Sequence, residues 1–175
     1  MDNSFGKPII PPNDQERIEA LLSYDILDSK PETYFNNFAE IIAQSFDVPI
    51  ALISLVDKEQ VYFKANVGME GTDRVPRGVS LCSLAILEPR LTIFEDALSE
   101  PCLIANPLVA GEFGLRFYAG APLVTPEGFN IGTVCIVDKI SREFSPADGE
   151  LLSSFAHSIM EAIIKRKQSI EESIT

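Results

Sequence analysis

The chain has 175 residues, of which 46% are hydrophobic, and it contains eleven phenylalanines and no tryptophan. That length supports one domain with a buried core, and that hydrophobic content is too high for a disordered chain. The formal net charge of −12 would repel a phosphate backbone or an anionic membrane leaflet. We therefore expect neither nucleic acid nor a membrane as a partner.

Cellular location and thiol state follow from the distribution of apolar residues and cysteines. No stretch reaches the roughly 18 apolar residues that a transmembrane helix needs, and no basic region followed by an apolar run opens the chain. The three cysteines, Cys82, Cys102 and Cys135, are odd in number and lack C-x-x-C spacing. We therefore expect a cytoplasmic protein with reduced thiols, without a disulfide framework or a structural zinc site.

The amino-terminal region predicts an extended lead-in over residues 1–12, followed by two helices. Asn13 and Asp14 can cap the first helix. The second begins near Pro31, a residue suited to a first helical turn, and its apolar side chains repeat every three or four residues. These side chains are Phe35, Phe38, Ile41, Ile42 and Phe46. Such a stripe needs a core to pack against.

The middle of the chain changes from helical to strand patterning. The run PIALISLV (49–56) is apolar on both sides, which predicts a strand covered on two faces. Residues 61–63 are typical of a hairpin partner. Residues 81–87 could form either a helical turn or a strand, and residues 91–95 predict a further strand. The region between these patterns is irregular.

The last third predicts a second hairpin and a long helix. Residues 115–123 and 131–138 are apolar and flank a Thr-Pro-Glu-Gly turn. Ser145 can cap the final helix, with Pro146 at its first position, and the helix is expected to run to about Lys167. This order predicts an α+β fold, with a mainly antiparallel sheet and helices on its faces. One domain would span residues 13–168, followed by a tail over 169–175.

Six segments, taken in order, resemble a GAF domain of the subgroup common in bacterial signalling proteins. The segments are YDILDSKPE (24–32), VPIALISLVDKEQVYFKANVGM (48–69), PRGVSLC (76–82), NPLV (106–109), RFYAGAPLVTPEG (116–128) and IGTVCIVD (131–138). The resemblance implies a central six-stranded, mainly antiparallel sheet of the GAF/PAS type. Terminal helices would cover one face, and short helices and loops would roof a ligand pocket on the other. It also implies a regulatory role in signal transduction, here in a stand-alone, single-domain form.

On this basis we predict a binding module for a small molecule that is weakly charged or apolar. The ligand would enter a cavity roofed by residues 64–110, and neither the ligand nor any cofactor is identified by the sequence. The aromatic side chains would supply contact area and Asp96 a polar anchor. The residues predicted to line or border the cavity are Phe63, Cys82, Asp96, Cys102, Phe117, Tyr118 and Cys135.

Two positions depart from the pattern of that subgroup. Its members often show C-x-H where this chain has Cys82-Ser83-Leu84, and Asp-x-Arg-Phe where it has Glu-Pro-Cys-Leu (100–103). The missing histidine disfavours a covalently held bilin. Both changes remove polar groups from the neighbourhood of the pocket, so we do not carry over a ligand from other members.

Two alternatives to a sensor stay open. Free methionine-R-sulfoxide reductases are GAF enzymes whose motif resembles PRGVSLC with a later cysteine, as Cys82 and Cys102 provide. Sulfoxide reduction needs one attacking thiolate and one resolving thiol. The further upstream cysteine expected near Thr72 is missing, which favours a protein that is not an enzyme. The second alternative is a pocketless scaffold that only assembles other proteins.

The final helix also indicates self-association. Its apolar pattern continues through Ile170, further than one sheet face needs. We therefore expect a homodimer through the terminal helices, or contacts of those helices with a signalling protein. The single histidine, His157, has no cysteine or carboxylate at metal-ligand spacing, so we expect neither a metal site nor a hydrolase triad.

Overall fold

A six-stranded antiparallel sheet forms the centre of the computed structural model, which describes residues 1–174. Its spatial order is β3-β2-β1-β6-β5-β4. The strands are β1 (Ile50–Val56), β2 (Gln60–Val67), β3 (Arg74–Pro76), β4 (Thr92–Phe94), β5 (Phe117–Val124) and β6 (Asn130–Asp138). β1 pairs with β2 and β5 with β6, as the two predicted hairpins require. The predicted α+β class is confirmed.

The long helices cover one face of this sheet, which we call the helix face. The helices of the described chain are α1 (Asp14–Ser23), α2 (Thr33–Phe46), α3 (Cys82–Ala85), α4 (Pro107–Ala110) and α5 (Pro146–Ile174). α1, α2 and α5 bury Leu21, Ile42, Leu152 and Ile159 against the sheet. Burial of such side chains is the main favourable contribution to folding. None of the helices within residues 1–174 is long and apolar enough to cross a bilayer.

Both ends of α5 can be traced to its sequence. The Ser145 hydroxyl accepts from the Asp148 amide at 3.1 Å, and the Asp148 carboxylate accepts from the Ser145 amide at 2.9 Å, which is a reciprocal cap. The helix continues past Lys167 to Ile174, because residues 165–174 contain no glycine or proline that would end it. The predicted tail is therefore helical through Ile174, and Thr175 lies outside the described residues.

The amino-terminal lead-in packs on the domain. Residues 1–12, predicted as an extended lead-in, contain neither helix nor strand. Phe5 and Ile9 are nevertheless buried on the sheet face opposite the long helices. The Ser4 amide donates to the Gly78 carbonyl at 2.9 Å. The folded unit therefore includes residues before the predicted boundary at residue 13.

The opposite face of the sheet is covered by residues 68–116, which we call the roof. The roof is built from α3, α4 and 3-10 turns at Ala97–Ser99 and Pro101–Leu103, and the same segment supplies the edge strands β3 and β4 of the sheet. Strand β3 was not predicted. Residues 81–87, which the pattern left open, contain the single helical turn α3. The roof therefore places Cys82 directly above the central strands, where α3 contacts β1, β5 and β6.

Candidate functional site beneath the roof

A hollow of about 30 Å³ lies between the sheet and the roof. Its lining is apolar apart from one hydroxyl, one phenol and two thiols. The lining residues are Leu52, Phe63, Met69, Val75, Ser80, Leu81, Cys82, Leu108, Phe113, Leu115, Tyr118, Cys135 and Val137. A hollow of this size holds water-sized molecules, whereas pockets for drug-sized ligands measure about 300–1,000 Å³. Side chains fill the rest of the predicted cavity, so a metabolite can enter only if the roof moves outward.

Four of the seven predicted site residues meet at this hollow. Phe63 reaches it from β2, Tyr118 from β5 and Cys135 from β6, while Cys82 reaches it from α3 above. The three strand residues share one face of the sheet because the strands pair in register, with Tyr118 opposite Val137 and Gly120 opposite Cys135. These four predicted residues therefore share one hollow, and their role in ligand binding stays a prediction.

The other three predicted residues lie elsewhere, which corrects the prediction. Phe117 precedes Tyr118 in β5 and so faces the helices, where its ring centroid lies 5.7 Å from that of Phe144. Asp96 accepts from the Leu98 amide at 3.1 Å and caps a 3-10 turn. Cys102 is half-buried in the turn at Pro101–Leu103 and packs against the apolar cluster beneath the roof, but it does not line the hollow.

The polar end of the hollow is a cluster around the Cys82 sulfur. Cys82 Sγ lies 3.8 Å from Cys135 Sγ, and both side chains are at most 3% exposed. The Thr133 hydroxyl donates to Cys82 Sγ at 3.2 Å, and the Tyr118 hydroxyl donates to it at 3.4 Å. The cluster therefore pairs two thiols and directs two hydroxyl donors at one of them.

These contacts make the two thiols unequal. The hydrogen bond with Cys135 lowers the pKa of Cys82, burial opposes this, and the bonds from Thr133 and Tyr118 add to the lowering. The net result is a pKa of Cys82 below the ordinary value of a cysteine thiol. The same sulfur–sulfur contact, together with burial, raises the pKa of Cys135 well above its ordinary value. Cys82 is therefore the thiol of this pair that ionises first.

Two residues of this cluster were missed by the sequence analysis. Thr133 lies two positions before Cys135 in β6 and therefore faces the same side, which is a signal that strand periodicity offers. Gly120 makes room for the phenol, because a Cβ at that position would lie 2.6 Å from Tyr118 Oη. A glycine inside an apolar strand was the available signal, since it often marks a close approach of another group.

A bulge in β2 connects the hollow with the helix face. Ser54 pairs with Phe63 while Ile53 pairs with Ala65, so Lys64 is the extra residue of this ladder. Phe63 faces the hollow, and Lys64 directs its ammonium group towards the segment that precedes α2. Neighbouring residues of one strand therefore contact the hollow and the helix layer.

The Lys64 ammonium is buried and fully engaged. Its Nζ donates to Ser29 Oγ at 2.7 Å and to the Lys30 carbonyl at 2.8 Å, and it forms an ion pair with Glu32. Burial lowers the pKa of Lys64, and the hydrogen bond with Glu32 opposes that change. A buried ammonium with these partners ties β2 to the start of α2.

The comparisons with known proteins agree with this architecture. A family model described as GAF domain matches residues 30–163. The chain belongs to the GAF domain family. The predicted family is therefore confirmed.

One similar protein of known name is a cyclic di-GMP phosphodiesterase of Pseudomonas aeruginosa. The two are 34% identical over 160 residues, which is 91% of this chain and 27% of the phosphodiesterase. The GAF domain therefore spans about a quarter of that relative's length.

Solved structures from bacteria share the fold at lower identity. The GAF domain of a phosphoenolpyruvate-protein phosphotransferase from Acinetobacter superposes with a TM-score of 0.63 at 14% identity, covering 90% of this chain and 96% of that one. A free methionine-R-sulfoxide reductase from Neisseria meningitidis gives a TM-score of 0.63 at 19% identity, covering 89% and 90%. At these identities the likeness is one of fold alone.

Proposed function

We propose that this GAF domain is a sensory and regulatory module that binds a small, weakly charged or apolar molecule beneath its roof and reports occupancy through its terminal helices. Membership of the GAF family supports the sensory and regulatory part. The observation that carries the finer part is the position of Phe63 and Lys64. Phe63 lines the hollow, and the next residue is tied through Glu32 to Arg166 on α5.

The lining determines the chemistry of the ligand. No side chain that contacts the described hollow carries a formal charge when Cys82 is protonated, and most are aliphatic or aromatic. The net charge of −12 further disfavours an anionic ligand. Cyclic di-GMP, the substrate named for the Pseudomonas relative, is large and anionic. We therefore expect an apolar or weakly polar metabolite rather than that dinucleotide to occupy the site.

Occupancy can reach the helices through one strand. A metabolite larger than water requires the roof to move away and the Phe63 ring to shift, because the present hollow holds about 30 Å³. A shift of β2 at its bulge moves Lys64 and so alters its ion pair with Glu32. Glu32 also holds Arg166, so the position of α5 changes with the ligand. Binding then selects one of two helix arrangements.

The helix layer offers the surface for output. Tyr34 on α2 is 60% exposed and borders a groove of about 650 Å³ between α2 and the last turns of α5. Ile170 lies in the same groove. We propose that two copies of the chain associate through this surface, with a signalling protein as the receiver of the change in helix packing.

A thermal-shift panel tests the ligand proposal. The compounds are nucleobases, aromatic and aliphatic metabolites, mononucleotides and cyclic di-GMP. Val75→Trp, in the edge strand β3, places an indole at the rim of the hollow. Ile93→Trp is the matched control in the edge strand β4, because Ile93 does not line the hollow.

The expected result is that at least one apolar compound raises the melting temperature of the natural chain and of Ile93→Trp, but not of Val75→Trp. A compound that stabilises all three equally binds elsewhere and contradicts the proposal. A panel without any stabilising compound, in a protein that still dimerises, supports the scaffold alternative instead.

A thiol-dependent sulfoxide reductase is the second candidate, because Cys82 has a lowered pKa and borders the hollow. Cys102, the expected second thiol, does not line the hollow, and the thiol beside Cys82 is Cys135. Incubation with free methionine-R-sulfoxide and a dithiol reductant tests this candidate. Turnover that disappears in Cys82→Ser would favour the enzyme, and absence of turnover in the natural chain favours the sensor.

A further inference from the structure

We infer that Cys82 and Cys135 form a reversible intrachain disulfide when hydrogen peroxide enters the hollow beneath the roof. Oxidation of this pair is a covalent modification distinct from the ligand binding proposed above, and it does not depend on that proposal being correct. Three features carry it: the spacing of the two sulfurs, the donors around Cys82, and the size of the hollow that both thiols line.

The two sulfurs are close enough to join with a small displacement. Cys82 Sγ and Cys135 Sγ are 3.8 Å apart, and a disulfide brings them to about 2.0 Å. Cys135 is held in the middle of the sheet by its pairing with Leu52 and Gly120. Cys82 opens α3, a helix of four residues in the roof. The approach therefore requires only that this short helix settle towards β6.

The surroundings assign different roles to the two thiols. Thr133 and Tyr118 each direct a hydroxyl at Cys82 Sγ, so negative charge is stabilised on that sulfur. The thiolate is the form of cysteine that attacks an oxidant. Cys135 stays protonated because its neighbour carries the charge and because it is buried. Cys82 is thus the attacking thiol and Cys135 the resolving one.

The hollow admits the oxidant. Its volume of about 30 Å³ exceeds the roughly 10–15 Å³ that one water requires, which leaves room for a molecule of two oxygen atoms. Its lining includes Met69, Val75, Leu108 and Phe113, which are only half-buried and form the rim. Both sulfurs line the same space. Peroxide can therefore reach Cys82 without the roof movement that a metabolite needs.

The chemistry balances with peroxide as the only oxidant. The Cys82 thiolate attacks one peroxide oxygen, the O–O bond breaks, and the departing hydroxide takes a proton and leaves as water. Cys82 is then a sulfenic acid. The Cys135 sulfur attacks the Cys82 sulfur, the S–O bond breaks, and the Cys135 proton leaves with the hydroxyl as a second water. Two thiols have lost two electrons, and peroxide has become two waters.

The bond would fix the roof over the sheet. It joins α3 to β6 across the hollow, so the outward movement that a metabolite requires is blocked. A dithiol reductant breaks the bond by exchange and restores that movement. Peroxide exposure would therefore close the site, and reduction would reopen it.

The direct test is thiol counting and peptide mapping on the folded, natural chain. The reduced protein is treated with hydrogen peroxide without denaturant, then alkylated in denaturant so that the buried thiols react, and digested without reduction. We expect the number of alkylated cysteines to fall from three to one, with a cross-linked peptide that joins Cys82 to Cys135. Later treatment with a dithiol should restore all three. The protein should run as a single chain on a non-reducing gel.

Single substitutions provide the controls. Cys102→Ala should keep the cross-link, whereas Cys82→Ala and Cys135→Ala should each abolish it. Circular dichroism shows whether each variant is folded. If Cys82→Ala or Cys135→Ala does not fold, the time course of alkylation in the natural chain decides the question. Three alkylated cysteines after peroxide, a cross-link that includes Cys102, or a cross-link between chains would each overturn the inference.

Discussion

Arg166, near the end of the last helix, donates from Nε to Glu32 Oε2 at 2.8 Å, and the buried Lys64 ammonium pairs with the same oxygen. The Arg166 guanidinium also donates to the carbonyls of Tyr24 and Asp25. One carboxylate thus holds α5, the segment before α2 and the bulge of β2 together. These ion pairs join the elements through which the proposed change in helix packing would pass.

Glu32→Gln should destabilise the domain by about 1–3 kcal/mol, because the buried Lys64 and the half-buried Arg166 lose their shared counter-ion. Lys64 retains Ser29 and Lys30 as acceptors and the Phe35 ring 5.6 Å away, which limits the loss. Urea unfolding measures the change in free energy.

The matched control is Glu161→Gln. Glu161 pairs with His157 on the surface of α5, where the two side chains are 58% and 78% exposed. An exposed pair of this kind contributes less than about 1 kcal/mol. Equal losses in Glu32→Gln and Glu161→Gln would contradict the coupling role of Glu32.

Acid should weaken the domain through two carboxylates. Burial raises the pKa of Glu32, but hydrogen bonds from Lys64 and Arg166 outweigh it and lower that pKa below 4.5. Arg77 and Arg17 likewise outweigh burial and lower the pKa of Asp14 below 3.8. A folded-state pKa below the unfolded one gives stability that is complete above the unfolded value and is lost as pH falls through the folded value.

The free energy of unfolding should therefore decline as pH drops below about 4.5 and further below about 3.8. Urea titrations at a series of pH values measure this slope. Glu32→Gln should show a shallower slope between neutral pH and acid than the natural chain. An identical slope in both proteins would show that Glu32 has an ordinary pKa when folded.

Tyr118→Phe should raise the pKa of Cys82, because it removes a hydroxyl that donates to the sulfur at 3.4 Å. The thiolate fraction near neutral pH should fall, and reaction with a small thiosulfonate should slow at that pH. The control is Tyr34→Phe, since the Tyr34 ring is 60% exposed on α2 and distant in sequence from the cluster. If Tyr118→Phe leaves the pH dependence of the Cys82 reaction unchanged, the phenol does not contribute to the lowered pKa of Cys82.

Self-association should depend on the groove between α2 and α5. We predict that the natural chain sediments as a dimer at micromolar concentration and that Ile170→Lys shifts it towards the monomer. Ile140→Lys is the control, because Ile140 is 65% exposed in the loop after β6. A monomer in the natural chain, or equal effects of the two lysines, would contradict an interface in this groove.

Much of the fold was accessible from local patterns. The apolar run of β1 predicted a strand covered on both faces, and Ser145 with Pro146 predicted the start of α5. Phe117 was misplaced because both aromatic neighbours were assigned to one cavity, although strand alternation puts one of them on each face. Strand alternation assigns each residue to one of the two faces of the sheet, provided that the face of one residue is known.

The site itself was less accessible. The contact between Cys82 and Cys135 depends on where α3 rests above β6, and a single helical turn has too few residues to reveal its orientation. The bulge at Lys64 adds one residue to a strand and leaves no periodic signal. The only local indication of a buried ion pair was a lysine between the apolar residues Phe63 and Ala65. The position of a short element relative to distant parts of the chain cannot be predicted from the local sequence pattern.

Methionine-methyl NMR tests the central claim most directly. The chain has three methionines: Met69 at the rim of the hollow, Met160 on the helix face and Met1 at the exposed end. With a compound that raises the melting temperature, we predict that the Met69 methyl signal shifts most, that the Met160 signal follows as the helices rearrange, and that Met1 stays in place. A stabilising compound that leaves the Met69 signal unchanged would contradict binding beneath the roof.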